Sequence, residues 1–435
     1  MTLTTRRFGL LPGEREAEKG DAVFLTGIQA LVRVVLDAMR RDRAAGLRTA
    51  AFVSGYPGSP LAGFDKEMAR HRSLLDELGV VHLPGQNEEL AATAVAGSQL
   101  VQGFHDARVD GVLGAWYGKA PGLCRALDAM WHGQFTGASS HGGVLLFVGD
   151  DPVPKSSMVP SASEHLLAAL DIPVLYPGSV QEILTLGAHG VELSRSSGLW
   201  TALKIVASVA DGFGSVSASA LDTTGDERRE ARGASLATVR PPCVPESLET
   251  EQEIATLRRE AAARYGRIAG LNRVTVDPPD AWLGIVAAGS LYRELASAME
   301  LLKLDEADLR RLGVRLMQVQ MLHPLEPHAF RAFGKGLSEI LVVEEKQPLL
   351  EPYLRDALYG VPDPPTIVGR RDEHGAPLLP GFGVLTSDRL ARVVAARLAQ
   401  RVPGVVLPSP DRQRPKIPVA TTQRTAFFCS GCPHN

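Results

Sequence analysis

Residues 142–152 read GGVLLFVGDDP. From Val144 to Val148 the run is apolar without a polar break, and it is closed by Gly149, Asp150, Asp151 and Pro152. A strand buried on both faces requires such a run, because neither side of it meets water. TAAFV at 49–53, VVHL at 80–83 and VLGAW at 112–116 have the same character. Between them the periodicity predicts helices over 61–77, 88–103 and 123–132. Residues 23–45 are expected as one amphipathic helix, with Ile28, Leu31, Val32, Val35, Leu36 and Met39 on a single face. A further strand, helix and strand fill 173–207. Apolar strands alternating with helices predict an α/β fold with a doubly wound parallel sheet. Such sheets bind ligands beyond the carboxyl ends of their strands. The expected loops at 54–60, 117–122 and 149–157 occupy that kind of position.

A polar, turn-rich stretch over 208–245 and a charged helix over 247–266 separate this run from a second one. Strands are expected at 282–290, 314–319 and 340–346, and helices at 294–304 and 387–402. Residues 407–423 are rich in Pro and charge and read as an extended linker. It leads into RTAFFCSGCPHN, 424–435, which has the look of a packed element cut short.

Composition narrows the function classes. The chain has 435 residues, 46 basic and 49 acidic, for a net charge of −3. That balance excludes a general nucleic-acid binder, which carries a basic excess. Apolar residues make up 45% and charged residues 22%, as in ordinary globular proteins. No apolar run reaches the length of a membrane span, and the N-terminus lacks the apolar core of a secretory signal. With four cysteines, two of them isolated, a disulfide framework is not expected and a cytoplasmic location is.

Five constellations carry possible chemistry. QNEEL at 86–90 opens a helix of small residues, either as acids favouring the helix dipole or as a carboxylate aimed at a cofactor nitrogen. SGYPGSP at 54–60 is either a plain turn or a loop over a substrate carboxylate, with Ser59 as donor. Lys119 in WYGKAPG is either solvated or an anchor for a small anion. Asp150 and Asp151 form a turn of solvated acids rather than a metal site, since no spaced partners accompany them. Cys429 and Cys432 form a C-x-x-C that supplies two ligands of a zinc or iron–sulfur site. P-loop, G-x-G-x-x-G, H-E-x-x-H and G-x-S-x-G patterns are all missing.

Taken in order, TGIQALVR (26–33), SGYPGSP, QNEELAATAVAGSQ (86–99), WYGKAPG (116–122), SHGGVLLFVGDDPVPKSS (140–157), MLHPLEP (321–327), ILVVEEKQPLLE (340–351) and FFCSGCPHN (427–435) resemble the N-terminal part of an indolepyruvate ferredoxin oxidoreductase of the long fused bacterial type. These are thiamine-diphosphate enzymes of the 2-oxoacid:acceptor oxidoreductase superfamily. The resemblance implies a pyrimidine-binding domain over 1–245, a helical linker over 246–274 and a transketolase-C-terminal-like α/β domain over 275–405. It further implies an extended linker over 406–423 and the start of a truncated diphosphate-binding domain over 424–435.

It implies oxidative decarboxylation of a 2-oxoacid, indolepyruvate or a related arylpyruvate, to an acyl-coenzyme A, with electrons passed to ferredoxin. The cofactor would supply the electron sink and the protein the orientation and proton traffic. Counting back nine positions from Gly97 assigns the glutamate on the pyrimidine N1′ to Glu88, with Glu89 as the fallback. Tyr56 and Pro57 would line the cofactor, Ser59 and Lys119 the substrate, and Cys429 and Cys432 would approach a [4Fe–4S] cluster. Mg²⁺ and the rest of the cluster would depend on a domain beyond this sequence. This length alone is therefore expected to be inactive, and a homodimer is expected through the small residues at 91–98. A transketolase-like subunit and a non-enzymatic remnant are the rival readings.

Overall fold

The computed structural model describes residues 22–154, 159–217, 236, 238–240, 246–402 and 407–408. They form two compact units that divide between Gly270 and Leu271, with Pro152–Ala162 belonging to the second.

The first unit opens with strand β1 (Ala22–Thr26), where a helix is expected from the sequence. Val23 and Leu25 are buried and their neighbours exposed, a period of two rather than 3.6. β1 pairs antiparallel with β8 (Phe213–Ser217). The helix proper, α1 (Gly27–Ala44), begins at a capping box. Thr26 Oγ1 accepts from Gln29 N at 3.2 Å, and Thr26 N donates to Gln29 Oε1 at 3.0 Å. Gly27 is needed at the junction, since a Cβ there would lie 2.1 Å from the carbonyl oxygen of Val209.

Next come β2 (Thr49–Gly55), short helices α2 (Phe64–Arg70) and α3 (Arg72–Glu77), β3 (Val80–His82), α4 (Glu88–Gln99), β4 (Gly111–Lys119), α5 (Ala120–Thr136) and β5 (Val144–Asp150). After α6 (Glu164–Ala169) follow β6 (Val174–Leu175), α7 (Val180–Ser197) and β7 (Thr201–Val206). The strands lie parallel in the order β6-β7-β5-β4-β2-β3. All seven residues of β5 are buried, as its unbroken apolar run predicts. The expected loop at 117–122 is absent. β4 runs through Lys119 and α5 starts at Ala120, with Pro121 in its first turn, where the missing N–H costs nothing.

The strand order reverses between β2 and β4. β3 lies outward of β2, and every later strand of this order lies on the other side of β4. The ends of these two strands thus form the switch point at which α/β sheets open a crevice. Helical residues Glu246–Glu253 and Arg259–Ile268, joined by a π-helical turn, pack within this first unit. There Tyr265 meets His189 Nδ1 at 3.0 Å, and Arg258 donates to the carbonyl of Gly198.

The second unit is a sheet of β9 (Asn272–Val276), β10 (Leu283–Ala288), β11 (Val314–Val319), β13 (Glu339–Val343) and β14 (Thr366–Val368), ordered β14-β13-β10-β11-β9, where β12 is Met321–His323. β9 alone of these runs antiparallel. Ile285, Leu316 and Leu341 of the sheet pack with Leu295, Met299, Leu390 and Val394 from helices Gly289–Leu301 and Ser387–Arg401. Among the described residues no helix is long and apolar enough to cross a membrane.

One ion pair ties the first unit together. Arg195 of α7 donates from both terminal nitrogens to the two oxygens of Asp42 of α1, each at 2.7 Å, and from Nε to the carbonyl of Gly142. Both side chains are buried. Asp42→Ala strips the buried Arg195 guanidinium of its bidentate partner, with Glu192 still 3.8 Å away, and should lower stability by about 3–5 kcal/mol. Urea denaturation followed by tryptophan fluorescence checks this, and a loss below about 1 kcal/mol would show the pair to be incidental.

Candidate functional site

The crevice is lined from four places: the loop after β2, the end of β4 with the start of α5, the start of α4, and the end of β5. Asn87 caps α4, its Oδ1 accepting from Leu90 N at 2.9 Å. This sets the phase of the helix. Glu88, Ala91, Ala92, Val95 and Gln99 face inward, whereas Glu89, Leu90, Ala94 and Gly97 are exposed. Glu88 is only 1% exposed. Its carbonyl accepts the Trp116 indole N–H at 3.0 Å. Its carboxylate lies against Gly122 in the first turn of α5, where a Cβ would come within 2.5 Å of Oε1. A glycine is therefore what allows an acid into this position.

The loop after β2 is held by backbone. Tyr56 N donates to the carbonyl of Tyr117 at 3.1 Å, and Leu61 N to that of Gly58 at 2.7 Å. Tyr56 is half-buried and Pro57 exposed. Gly58 lies against the stem of Lys119, where a Cβ would sit 2.9 Å from Cδ. Ser59 Oγ donates to Asp151 Oδ1 at 3.3 Å. Ser59 and Lys119 thus flank one end of the crevice, and Glu88 lies against α5 one turn beyond Lys119. Glu89 points away from this side. Cys429 and Cys432 lie outside the described residues.

The acidic turn differs from its sequence reading. Asp150 and Asp151 are 0% and 1% exposed, not solvated. Asp150 Oδ2 accepts from Ser163 N at 3.0 Å and Ser163 Oγ at 2.8 Å. Lys204, from β7, brings its ammonium to 3.5 Å from Asp150 and into a short contact with Glu164, above the ring of Tyr176. Burial pushes the Asp150 carboxyl upward by more than Lys204 and Ser163 pull it down. Burial also opposes charge on Glu164, but the adjacent Lys204 outweighs it and holds that carboxyl below its usual range. Lys204 is held above its usual range by the two acids despite burial. The sequence signal for this cluster is a lysine inside the otherwise apolar strand TALKIV.

A second cluster was also missed. Tyr117 hydrogen-bonds through its hydroxyl to Asp65 and lies 3.2 Å from His82 Nε2, beside Phe64. Burial and Asp65 push this phenol far above its ordinary range. Asp65 and His82 also line a cavity of about 430 Å³ with Met68, Ala69, Arg72 and Leu75. Among the described residues no group of three or more His, Cys, Asp or Glu side chains is placed to hold a metal ion.

Residues 273–405 match the indolepyruvate oxidoreductase domain family. Over almost its whole length the chain is similar to indolepyruvate oxidoreductase subunits. It is 25% identical over 429 residues to the IorA subunit of Methanothermobacter thermautotrophicus, covering 96% of this chain and 60% of that one. With the IorA subunit of Pyrococcus horikoshii it shares 26% identity over 426 residues, 95% of this chain and 58% of the other. It thus spans about 60% of the length of the curated relatives it matches. A solved 2-oxoglutarate:ferredoxin oxidoreductase from Magnetococcus marinus superposes with a TM-score of 0.58 at 16% identity, over 87% of this chain and 65% of that one. That likeness is one of fold.

The buried charges yield a test by pH. Glu164, with its carboxyl held low, stabilises the fold above its unfolded value, and this contribution is lost as pH falls through the folded value. Asp150, with its carboxyl pushed up, contributes below its unfolded value, and this is lost as pH rises through the folded one. Glu164→Gln should therefore cost about 3 kcal/mol at pH 8, and Asp150→Asn less than about 1 kcal/mol. The gap between them should narrow towards pH 4 in urea titrations. Equal costs at both pH values would refute the assignment of charge.

Proposed function

We propose that the chain is the pyrimidine-binding part of a thiamine-diphosphate-dependent 2-oxoacid:ferredoxin oxidoreductase that acts on indolepyruvate or a related arylpyruvate. The observation that carries this reading is Glu88, a carboxylate buried to 1% exposure at the switch point, with Gly122 clearing space for it. Likeness to the IorA subunits over 96% of the chain supports it. Thiamine diphosphate, when bound, supplies the carbon nucleophile and the electron sink.

The residues of this chain do the rest. Glu88 shares a proton with the pyrimidine N1′, a task that suits a carboxyl kept from water. Tyr56 and Pro57 lie on the loop that covers the ring. Ser59 donates to the substrate carboxylate, and Lys119 adds a positive charge beside it. Mg²⁺ and a [4Fe–4S] cluster complete the cofactor set, with Cys429 and Cys432 as two thiolate ligands. Coenzyme A takes the acyl group and ferredoxin the electrons. The exposed Leu90, Ala94 and Gly97 on α4 supply a face for a homodimer, and we place the protein in the cytoplasm.

Glu88→Gln in the intact enzyme should lower 2-oxoacid-dependent ferredoxin reduction by about 10²–10⁴-fold. Glu89→Gln, on the solvent side of α4, should leave the rate within a factor of two or so. Ferredoxin reduction followed at its visible absorbance, with the thermal midpoint recorded alongside, decides the matter. A Glu88→Gln enzyme that retains its rate would overturn the proposal.

A further inference from the structure

The cavity beside Tyr117 takes no part in the chemistry of the crevice, and Ser59, Glu88 and Lys119 do not line it. Its volume of about 430 Å³ is that of a small-molecule site. Met68, Leu75, Ala69 and Pro84 give it apolar walls. Met68 and Leu75 are buried, and Ala69 and Pro84 are exposed. The polar floor is Asp65 with His82. Asp65 Oδ1 takes the Tyr117 hydroxyl and lies 3.6 Å from His82 Nε2. His82 Nε2 is itself 3.2 Å from that hydroxyl. Asp65 Oδ2 is buried and receives no hydrogen bond among the described residues, although the side chain keeps 20% of its surface open. A carboxylate oxygen without a donor is costly, and an ionised carboxylate can only accept. This floor therefore calls for a group that brings its own hydrogen. Lys66 and Arg72 complete the lining, both exposed, so positive charge stands where the cavity meets solvent. Arg72 also meets Asp76 at 3.3 Å, in a pair open to water on both sides that holds it weakly.

We propose that this cavity binds a small aromatic carboxylate whose ring carries a hydrogen-bond donor. The ring packs on Met68 and Leu75, its donor reaches Asp65, and its carboxylate meets Arg72 and Lys66 at the mouth. Each feature of the site excludes a simpler ligand. A purely apolar one leaves Asp65 unmet. An amine meets two like charges on entry. An anion without a donor brings nothing to the floor. Guanidinium and carboxylate suit each other in geometry as well as in charge. The site is separate from the crevice, so the inference stands or falls apart from the role of Glu88.

The test is binding to the full chain, measured by calorimetry. The probe is 4-hydroxyphenylacetate, and phenylacetate is its twin without the ring hydroxyl. The wild type should bind the probe with a Kd on the order of 0.1 mM, in keeping with its small size. It should bind phenylacetate about tenfold more weakly or worse, since the hydrogen bond to a charged acceptor is missing. Asp65→Ala should reduce that preference to about twofold or less. Replacing both Lys66 and Arg72 by Gln, on exposed side chains, should weaken both compounds about fivefold. Ala69→Trp, which fills the cavity from its exposed wall, should abolish binding of both. A wild type that binds neither compound, or binds both equally, overturns the proposal. So does an Ala69→Trp chain that binds as well as the wild type. Binding that survives Ala69→Trp and is lost in Lys119→Met places the probe in the crevice and overturns it too. Should Asp65→Ala fail to fold, as its thermal midpoint would show, the comparison of the twins and Ala69→Trp decide.

Discussion

A parallel sheet covered on both faces has nowhere to place polar groups except at its strand ends, and the first unit is organised by that constraint. β5 is buried along its whole length, so its only polar residues come where the strand stops, at Asp150 and Asp151. The strand order reverses between β2 and β4, and their ends bring the 56–60 loop and Lys119 to one place. α4 adds Glu88 from the side, fixed by the Asn87 cap and by the Trp116 indole on its carbonyl. Each of these groups would be costly elsewhere in the unit, where burial without a partner is penalised.

The ionisable groups inside this unit are arranged in small closed sets. Lys204 stands between Glu164 and Asp150, and Arg195 is matched by both oxygens of Asp42. Lys204 enters a wholly buried strand and turns an apolar wall into a support for the turn at 150–151. The same support places Asp151 against Ser59. The stability of the sheet and the geometry of the crevice therefore share residues.

Much of this was legible in the sequence. The apolar runs at 49–53, 112–116 and 144–148 became β2, β4 and β5 of a parallel sheet, as a strand buried on both sides must read. The strand at 22–26 was hidden because its apolar residues Val23 and Leu25 continue into the pattern of α1, and only the capping box at Thr26 marks the boundary. The depth of Asp150 and Asp151 was not legible either. Their burial depends on Lys204, Glu164 and Ser59, which are distant in sequence and meet only in the fold. The choice between Glu88 and Glu89 lay within reach of helical phase. Glu88 shares its face with Ala91, Ala92, Val95 and Gln99, and Glu89 does not.

The pair between Arg195 and Asp42 joins residues 153 positions apart. Contacts of such separation form late, because the intervening chain must first be confined. During synthesis the ribosome therefore releases α1 well before its partner exists. Until α7 and β7 emerge, β5 has an open edge on one side, and Asp42 remains without the guanidinium that matches it. A nascent chain at that stage exposes a row of unpaired strand hydrogen bonds, the kind of surface that chaperones cover. The interaction that locks the finished unit also fixes how long the unfinished one needs protection.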